Sequence, residues 1–503
     1  MKSLINTILS LSLLVLLSGC SGFLDKYPHG KWTSHNYDID GETSDIPYDA
    51  LIEGELQSAY NNQHIYGICL GIAGMHSITT DDAEKGSTAT DISSAIPLKA
   101  HTYDAGNGII SGYYSGWYTI INYVNRAMKY VSVAEEYNKV PADVLNYQKA
   151  QCYALRAHAY FRLIQAYGAV SYVDHVLEQS ESTPTRSEPE TVYPILLQQL
   201  EWSVPYLKTR LENQTEGTFG KITKNGALAL MAKIQLYRKN WKEAYDLTEQ
   251  IITSGDNDLS TPFEKIFTEE YEFGPESVWE DNAVYDKLNA IYTSPNSQWA
   301  QIQGFRGTPN NGWGANGPSK ALREAMKDDP RYSSTVLAEG DVVDGIVCKP
   351  GANQPNPYFN RKVYASAAEK AALGRNNAQG QWINIRYIRY SDVILMNAEA
   401  ACESGNMTEA LNKLEMVRSR ARGGDPSALP RITTTDQSEL RKAIHQERRF
   451  ELAMELERYF DLVRWGEAST EITGFVEGKH ELFPIPQKEI DASNGILTQN
   501  PGY

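Results

Sequence analysis

The sequence predicts a mostly α fold: a scaffold of helical hairpins with tetratricopeptide-like spacing that carries long irregular loop insertions. Three observations predict it. Apolar residues recur with helical period in several long segments, one spacing of large residue, small residue, turn and alanine occurs twice, and the stretch between Ser254 and Gln381 shows little period at all.

Gly112 to Val133 carries Trp117, Ile120, Ile121, Val124 and Met128 at helical intervals. Tyr147 to Tyr167 has two stripes, Leu155, Ala159, Leu163 and Ala166 on one side, Tyr153, Ala157, Tyr160 and Ile164 on the other. Apolar residues on both sides predict a helix packed between neighbours. Thr191 to Leu211 carries Tyr193, Leu196, Leu197 and Leu200, with Pro205 as a kink or break. Leu228, Met231 and Ala232 then share a helix, Asn240 marks a turn, and Trp241, Ala244, Thr248 and Ile251 share the next. The pattern returns in Ile394, Ala398 and Ala401, a turn at Gly405-Asn406, then Met407, Ala410, Leu414 and Val417. With a third unit expected over 150–200, this spacing predicts a short helical solenoid, a class that presents surfaces to other proteins; a generic helical hairpin is the alternative.

Two regions break the pattern. Residues 67–108 are glycine-rich, and 255–381 are dense in Gly, Pro, Asn and aromatics, among them Tyr285, Tyr292, Trp299, Phe305, Trp313 and Tyr358. Connections this long are usually functional or have an irregular fold of their own. The expected organisation is one domain over 48–503, with the helical scaffold at 112–254 and 388–465 and ligand-face insertions at 67–108 and 255–381.

The chain has 503 residues and a net charge of −16, which argues against a nucleic-acid protein, since phosphate binding needs clustered Lys and Arg. With 41% hydrophobic and 22% charged residues it is rich enough in apolar side chains to bury a core, which excludes intrinsic disorder. The 31 Tyr outnumber Trp and Phe together; this amphipathic ring suits wet binding surfaces.

The N-terminus reads as an address. Lys2 precedes an apolar run from Ile5 to Leu17 that is too short to span a bilayer, so residues 1–19 read as a secretory signal. The run ends in Leu17-Ser18-Gly19-Cys20, which resembles a bacterial lipobox. Cys20 would then become the first mature residue, carrying diacylglycerol on its thiol, and residues 20–47 would form a tether. With an N-acyl chain on Cys20 as well, three hydrocarbon chains would exceed the two that stable anchoring requires. Cys69, Cys152, Cys348 and Cys402 show no CxxC or metal spacing; Cys152 and Cys402 fall in helical patterns as small buried residues, and one disulfide stays open as an alternative.

The search for chemistry gives mostly negatives. Gly312-Trp313-Gly314-Ala315-Asn316-Gly317 satisfies GxGxxG, but no strand precedes it and Pro318 follows at once. There is no P-loop, GxSxG or HExxH. His158 lies in a helix and reads as packed. Asp38-Ile39-Asp40-Gly41 and Asp256-Asn257-Asp258 offer oxygen ligands for a structural Ca²⁺ without fitting an EF-hand loop; no cofactor is expected. Glu447, Glu451 and Glu455 share one helical face, as a glycosidase carboxylate pair could. Arg448, Arg449, Arg458, Arg464 and Asp461 are interleaved with them, which favours a satisfied ion-pair network over catalysis.

That helix reads Glu447-Arg448-Arg449-Phe450-Glu451-Leu452-Ala453, followed by Glu457-Arg458-Tyr459-Phe460-Asp461-Leu462-Val463-Arg464-Trp465-Gly466. The chain closes with Leu482-Phe483-Pro484-Ile485-Pro486 and Gln499-Asn500-Pro501-Gly502-Tyr503. With Arg389-Tyr390-Ser391-Asp392, and upstream Tyr160-Phe161-Arg162-Leu163, Tyr167-Gly168, Gly312-Trp313 and Asp329-Pro330-Arg331, these motifs resemble the SusD/RagB family over essentially the whole mature chain. The resemblance implies the SusD-like fold and an outer-membrane lipoprotein that binds rather than catalyses. Such a protein caps a SusC-like TonB-dependent transporter and captures nutrient oligomers, usually glycans. It also implies helices that support the transporter contact and irregular regions that carry the ligand.

Within that picture, flat rings would stack on the apolar faces of sugars and polar groups would hold the hydroxyls. Loop position and residue type nominate Trp299, Trp313, Tyr292 and Phe305 as stackers, and Asp81, Asp82 and Arg361 as polar partners. Trp117, Trp241, Trp279 and Trp465 are expected in the core. A RagB-like capturer of oligopeptides is the alternative, and a polysaccharide-acting enzyme a remote one.

Overall fold

The computed structural model describes residues 46–178, 181, 184–285, 296–310, 312–352, 354–366, 370–371 and 381–503. Cys20, Tyr292 and the Asp38–Gly41 segment lie outside the described residues. Helices dominate, in the order α1 (Tyr48–Asn62), α2 (Tyr66–Gly71), α3 (Gly108–Glu136), α4 (Ala142–Tyr167), α5 (Pro189–Ser203), α6 (Lys224–Tyr237), α7 (Trp241–Ser254), α8 (Tyr390–Glu403), α9 (Met407–Ala421), α10 (Gln437–Glu451), α11 (Arg458–Trp465) and α12 (Gln487–Ala492). Strands are short antiparallel pairs. Ala83–Lys85 (β1) runs beside Asn316–Pro318 (β3), and Ser277–Glu280 (β2) beside Arg386–Arg389 (β8). Val336–Ala338 (β4) pairs with Tyr358–Asn360 (β7), and Val342–Val343 (β5) with Ile346–Val347 (β6).

The periodic segments form their helices, and local chemistry sets the ends. Asn107 caps α3 by accepting from the Ile109 and Ile110 N–H groups, and Asp436 caps α10 by accepting from Glu439. Helix α5 stops at Ser203, two residues before Pro205, whose missing N–H cannot continue the ladder. The two repeat-like units are antiparallel hairpins: α6–α7 turns at Asn240, α8–α9 at Gly405, whose φ of +84° suits only glycine at low cost. Helix α7 packs on α8, where the Asn397 amide donates to Thr248 Oγ1 at 3.0 Å.

Region 67–108 departs from the sequence expectation. Helix α2 continues as a π-helical turn through Ile72–Ile78, and the chain from Ile68 to Ile78 is buried. The glycines that suggested a loop allow close packing instead. A Cβ on Gly67 would lie 2.8 Å from the Gly112 carbonyl oxygen of α3, and one on Gly71 would lie 2.3 Å from the Tyr113 ring. The four described cysteines are buried and unbridged. The Asp256 carboxylate accepts from the Arg210 N–H at 2.7 Å, where the helix Arg210–Glu216 begins. Trp117 and Trp279 are core residues, Trp241 and Trp465 pack against the core, and His158 is wedged between Trp117 and Trp279.

Helix α10 carries a buried ion network. Glu451 accepts from Arg389 at 2.9 Å, from Arg331 at 3.0 Å and from Arg420. Glu455 takes Arg389 and Lys362 at 2.8 and 2.7 Å. Three residues before Glu451, Arg448 reaches Asp392 of α8 at 2.7 Å and Asp461 of α11 at 3.1 Å. Lys233 of α6 lies 2.8 Å from both Asp392 and Glu457, and Arg464 pairs with Glu399 and Asp461. Five helices, α6, α8, α9, α10 and α11, are thus tied through paired charges. Burial pushes the Glu451 carboxyl up, but Arg420, Arg389, Arg331 and Lys362 outweigh it and hold the group well below the usual range. Glu399 is likewise held down to about 2 against its own burial, by Arg464 first.

Breaking such a pair leaves an uncompensated buried charge, so Glu451→Gln should cost about 3–5 kcal/mol in urea unfolding. A loss within experimental error would contradict the network's structural role. Acid should act in the same direction. Glu399 ionises near 2 in the fold against 4.5 ordinarily, and burial lowers His76 to about 3 from 6.5. In both cases the unfolded chain binds the proton first, so this stability is whole above the ordinary values and is lost as pH falls toward the folded ones. Melting temperatures at about pH 7, 5 and 3 should therefore fall in sequence; a flat profile would contradict the assignment.

Candidate binding face

Two aromatic residues meet at the surface where α2 approaches the irregular insertion. Tyr66, the first residue of α2, is 42% exposed. Its ring lies 6.2 Å from that of the half-buried Trp313, edge to face at 72°. Trp313 stands on a turn zipped to the segment before it. The Gly312 N–H donates to Phe305 O at 2.7 Å, Trp313 N–H to Gln301 O at 2.8 Å and Gly314 N–H to Gly304 O at 3.0 Å. The glycines permit this approach: a Cβ on Gly312 would lie 2.6 Å from Gly304 O, and Gly314 has a φ of +60°. The GxGxxG match is therefore a packing turn, and its backbone fixes the indole.

Polar groups flank the rings. The Arg306 guanidinium pairs with Asp91, both side chains part-exposed, and its Nη1 lies 3.5 Å from Trp313 O. Arg306 first, then Thr88, holds the Asp91 carboxyl below its usual value. Lys85 donates to Thr88 O at 2.6 Å and Ser87 O at 3.1 Å, bracing the 86–91 turn, and Gln354 donates to Gly86 O. The arrangement offers ring surface beside a guanidinium and a carboxylate, which suits a ligand with alternating apolar and hydroxylated faces. Among the described residues, no cluster of three or more His, Cys, Asp or Glu could hold a metal ion.

Of the sequence-nominated residues that are described, Trp313 alone stands on this face. Trp299 is 5% exposed and packs in the main core; Phe305 is 2% exposed and packs on Phe359 at 4.2 Å in a small core with Leu337, Val343 and Cys348. Neither presents a ring face to a ligand, because short elements bury them inside the insertion. Asp81 and Asp82 are bound up in ion pairs: Arg449 reaches them at 2.8 and 2.6 Å, and Arg458 lies 2.9 Å from Asp81. Burial and then Asp81 push the Asp82 carboxyl up, while Arg458 and Arg449, against burial, hold that of Asp81 down. Arg361 donates to Ser333 O at 2.8 Å and borders a different cleft of about 410 Å³, with Phe267, Val342, Asp344 and Tyr364. Sequence reasoning missed Tyr66, Asp91 and Arg306. The available signal was the position of Phe305-Arg306 between glycines, where one neighbour turns inward and the other outward.

Two family models match the chain side by side. One, described as "SusD family", matches residues 249–482; the other, "Starch-binding associating with outer membrane", matches 36–236. A SusD-like protein P2 of Formosa agariphila is 27% identical over 429 residues, 79% of this chain and 81% of its own. A SusD-like protein of Bacteroides ovatus is 23% identical, covering 71% of this chain and 65% of its own. Among solved structures, surface glycan-binding protein A of Bacteroides thetaiotaomicron in complex with laminarihexaose superposes with a TM-score of 0.74 at 23% identity, over 90% of this chain and 99% of that one. A laminarin-binding SusD-like protein matches with the same score and coverage. At such identity these structures share the fold.

Asp81→Ala separates a structural from a ligand role. Stripping Arg449 and Arg458 of their shared carboxylate should lower urea stability by about 3 kcal/mol and leave the ligand affinity of the folded protein unchanged. Lost affinity at unchanged stability would return Asp81 to the binding face.

Proposed function

The chain belongs to the SusD family of glycan-binding, outer-membrane-associated proteins, and from that premise we propose that it captures oligo- or polysaccharide at the cell surface and delivers it to a SusC-like TonB-dependent transporter. Cys20 carries the lipid that moors it, and residues 21–47 form the tether. The protein binds and does not catalyse.

The observation that supports this reading is the half-exposed Trp313–Tyr66 ring pair, backed by a glycine-zipped turn and flanked by Arg306 and Asp91. Rings fixed before the ligand arrives lose little freedom on binding. Each ring contact contributes about 1 kcal/mol, so affinity accumulates over several sugars and stays weak enough for release. Mooring beside a pore raises the effective concentration of captured ligand without new contacts. The two buried carboxylates of α10, Glu447 and Glu451, are each tied to arginines, which speaks for scaffold and against acid–base work there.

Affinity gels cast with laminarin, starch, fructan or pectin, beside a panel of oligopeptides in solution, test the ligand class. At least one glycan should retard the protein, and Trp313→Ala should weaken that interaction roughly fivefold without moving the melting temperature. Peptide binding in place of glycan binding would assign the chain to the RagB-like alternative; unchanged glycan affinity in Trp313→Ala would remove the indole from the site.

A further inference from the structure

A second groove lies on the scaffold itself, between α3 and the C-terminal helix α12, with a volume of about 390 Å³. That is the size of sites that take small ligands. Tyr114, Ser115, Tyr118, Thr119 and Asn122 of α3 form one wall. On α3, Gly112 and Gly116 pack against Gly67 and Ile68 of α2, the helix that Tyr66 begins. At about 100° per residue, Tyr114 and Tyr118 lie roughly half a turn away, so the groove is on the far side of α3 from the Trp313 face.

Its floor is aromatic and fixed. The Tyr114 and Tyr118 rings are 4.7 Å apart at 40°, and the Tyr118 hydroxyl donates to Ser171 O at 3.2 Å. Tyr114 is braced edge-on by Tyr167 at 5.0 Å, whose own hydroxyl donates to Ile110 O at 2.7 Å. The rim is hydroxylated. Ser115 and Thr119 donate to Ser111 O and Ser115 O at 2.9 and 2.8 Å, which leaves the lone pairs of their oxygens for incoming donors. Asn122 adds an exposed amide with no hydrogen bond to any described residue. Across the groove stand Glu489, Ser493 and Leu497. Among the described residues no Lys or Arg lines it; the Arg186 guanidinium lies near Tyr114 and Tyr118 but is engaged by the Ala169, Tyr167 and Thr498 carbonyls and Asn500 Oδ1, so an anion would meet Glu489 at the wall itself. A wholly apolar ligand would strip water from the amide and hydroxyls without replacing it.

We propose that this groove is a second saccharide subsite, taking one or two neutral sugar rings independently of the Trp313 face. The proposal rests on the reading of the chain as a saccharide binder. Two weak sites on opposite sides of α3 would engage a long or folded polymer more durably than either alone.

The test uses the methyl glycosides of glucose, galactose, mannose and xylose in saturation-transfer NMR titrations. Trp313→Ala silences the first face; Ala492→Trp, on an exposed position of the rim, fills the groove; Asn122→Ala removes the amide. At least one glycoside should bind the Trp313→Ala chain as tightly as the unaltered chain. On that background Ala492→Trp should weaken binding about fivefold or more and Asn122→Ala roughly threefold, with unchanged melting temperatures. Absence of glycoside binding to the Trp313→Ala chain would overturn the proposal, as would binding that both groove variants leave intact. If polysaccharide is still retained through Trp313, such a result refutes the groove alone. If the unaltered chain retains no saccharide, the reading on which the groove rests falls too.

Discussion

The fold hangs on the charges buried along helix α10. Glu451 and Arg448 stand three residues apart on that helix, and each is surrounded by opposite charge from other elements: Arg331, Arg389 and Arg420 around the one, Asp392 and Asp461 around the other. An apolar core alone would let hairpins slide against each other. A buried guanidinium with two assigned carboxylates tolerates one register, because any slip strands a charge at a cost of several kcal/mol. The network locks the α6–α7 and α8–α9 hairpins to the C-terminal helices. Through Arg449 and Arg458 it also holds Asp81 and Asp82, which leads directly to the strand β1 and the turn bearing Asp91.

That chain of connections links scaffold to binding face. The insertions have few regular elements, so their shape depends on what they are anchored to. Strand β1 pairs with β3, immediately after the Trp313 turn, and β1 itself follows the aspartates pinned to α10 and α11. The indole, the tyrosine at the head of α2 and the Arg306–Asp91 pair are therefore positioned from below by a rigid body. On the function proposed above, a surface prepared in this way would hold a saccharide weakly yet repeatedly.

Much of the scaffold was legible in the sequence because helical period survives locally: Trp117, Leu155, Ala244 and Ala398 each mark a face without reference to the rest of the chain. The ion network was legible too, since alternating Glu and Arg on an apolar helix has few other solutions. What failed were residues whose role depends on distant partners. Gly67 and Gly71 resembled loop formers, and only the approach of α3 explains them. Asp81 and Asp82 resembled ligand groups, and only Arg449 and Arg458, more than three hundred and sixty positions away, explain them. Trp299 and Phe305 sat in an aperiodic stretch, where inward and outward cannot be distinguished without the short strands and turns that bury them. Tyr66 went unnoticed because an exposed ring at a helix start has no sequence pattern of its own.

The central claim is that a rigid, charge-locked scaffold presents Trp313 and Tyr66 as a saccharide platform. The most direct measurement is a crystal structure of the protein soaked with the tightest-binding oligosaccharide from the glycan panel. The account predicts a sugar ring lying against the Trp313–Tyr66 pair, with hydroxyls in reach of Arg306 or Asp91 and the backbone of the 312–315 turn unmoved. Sugar bound elsewhere while this face stays bare, or a turn that must rebuild itself to accept the ligand, would contradict it.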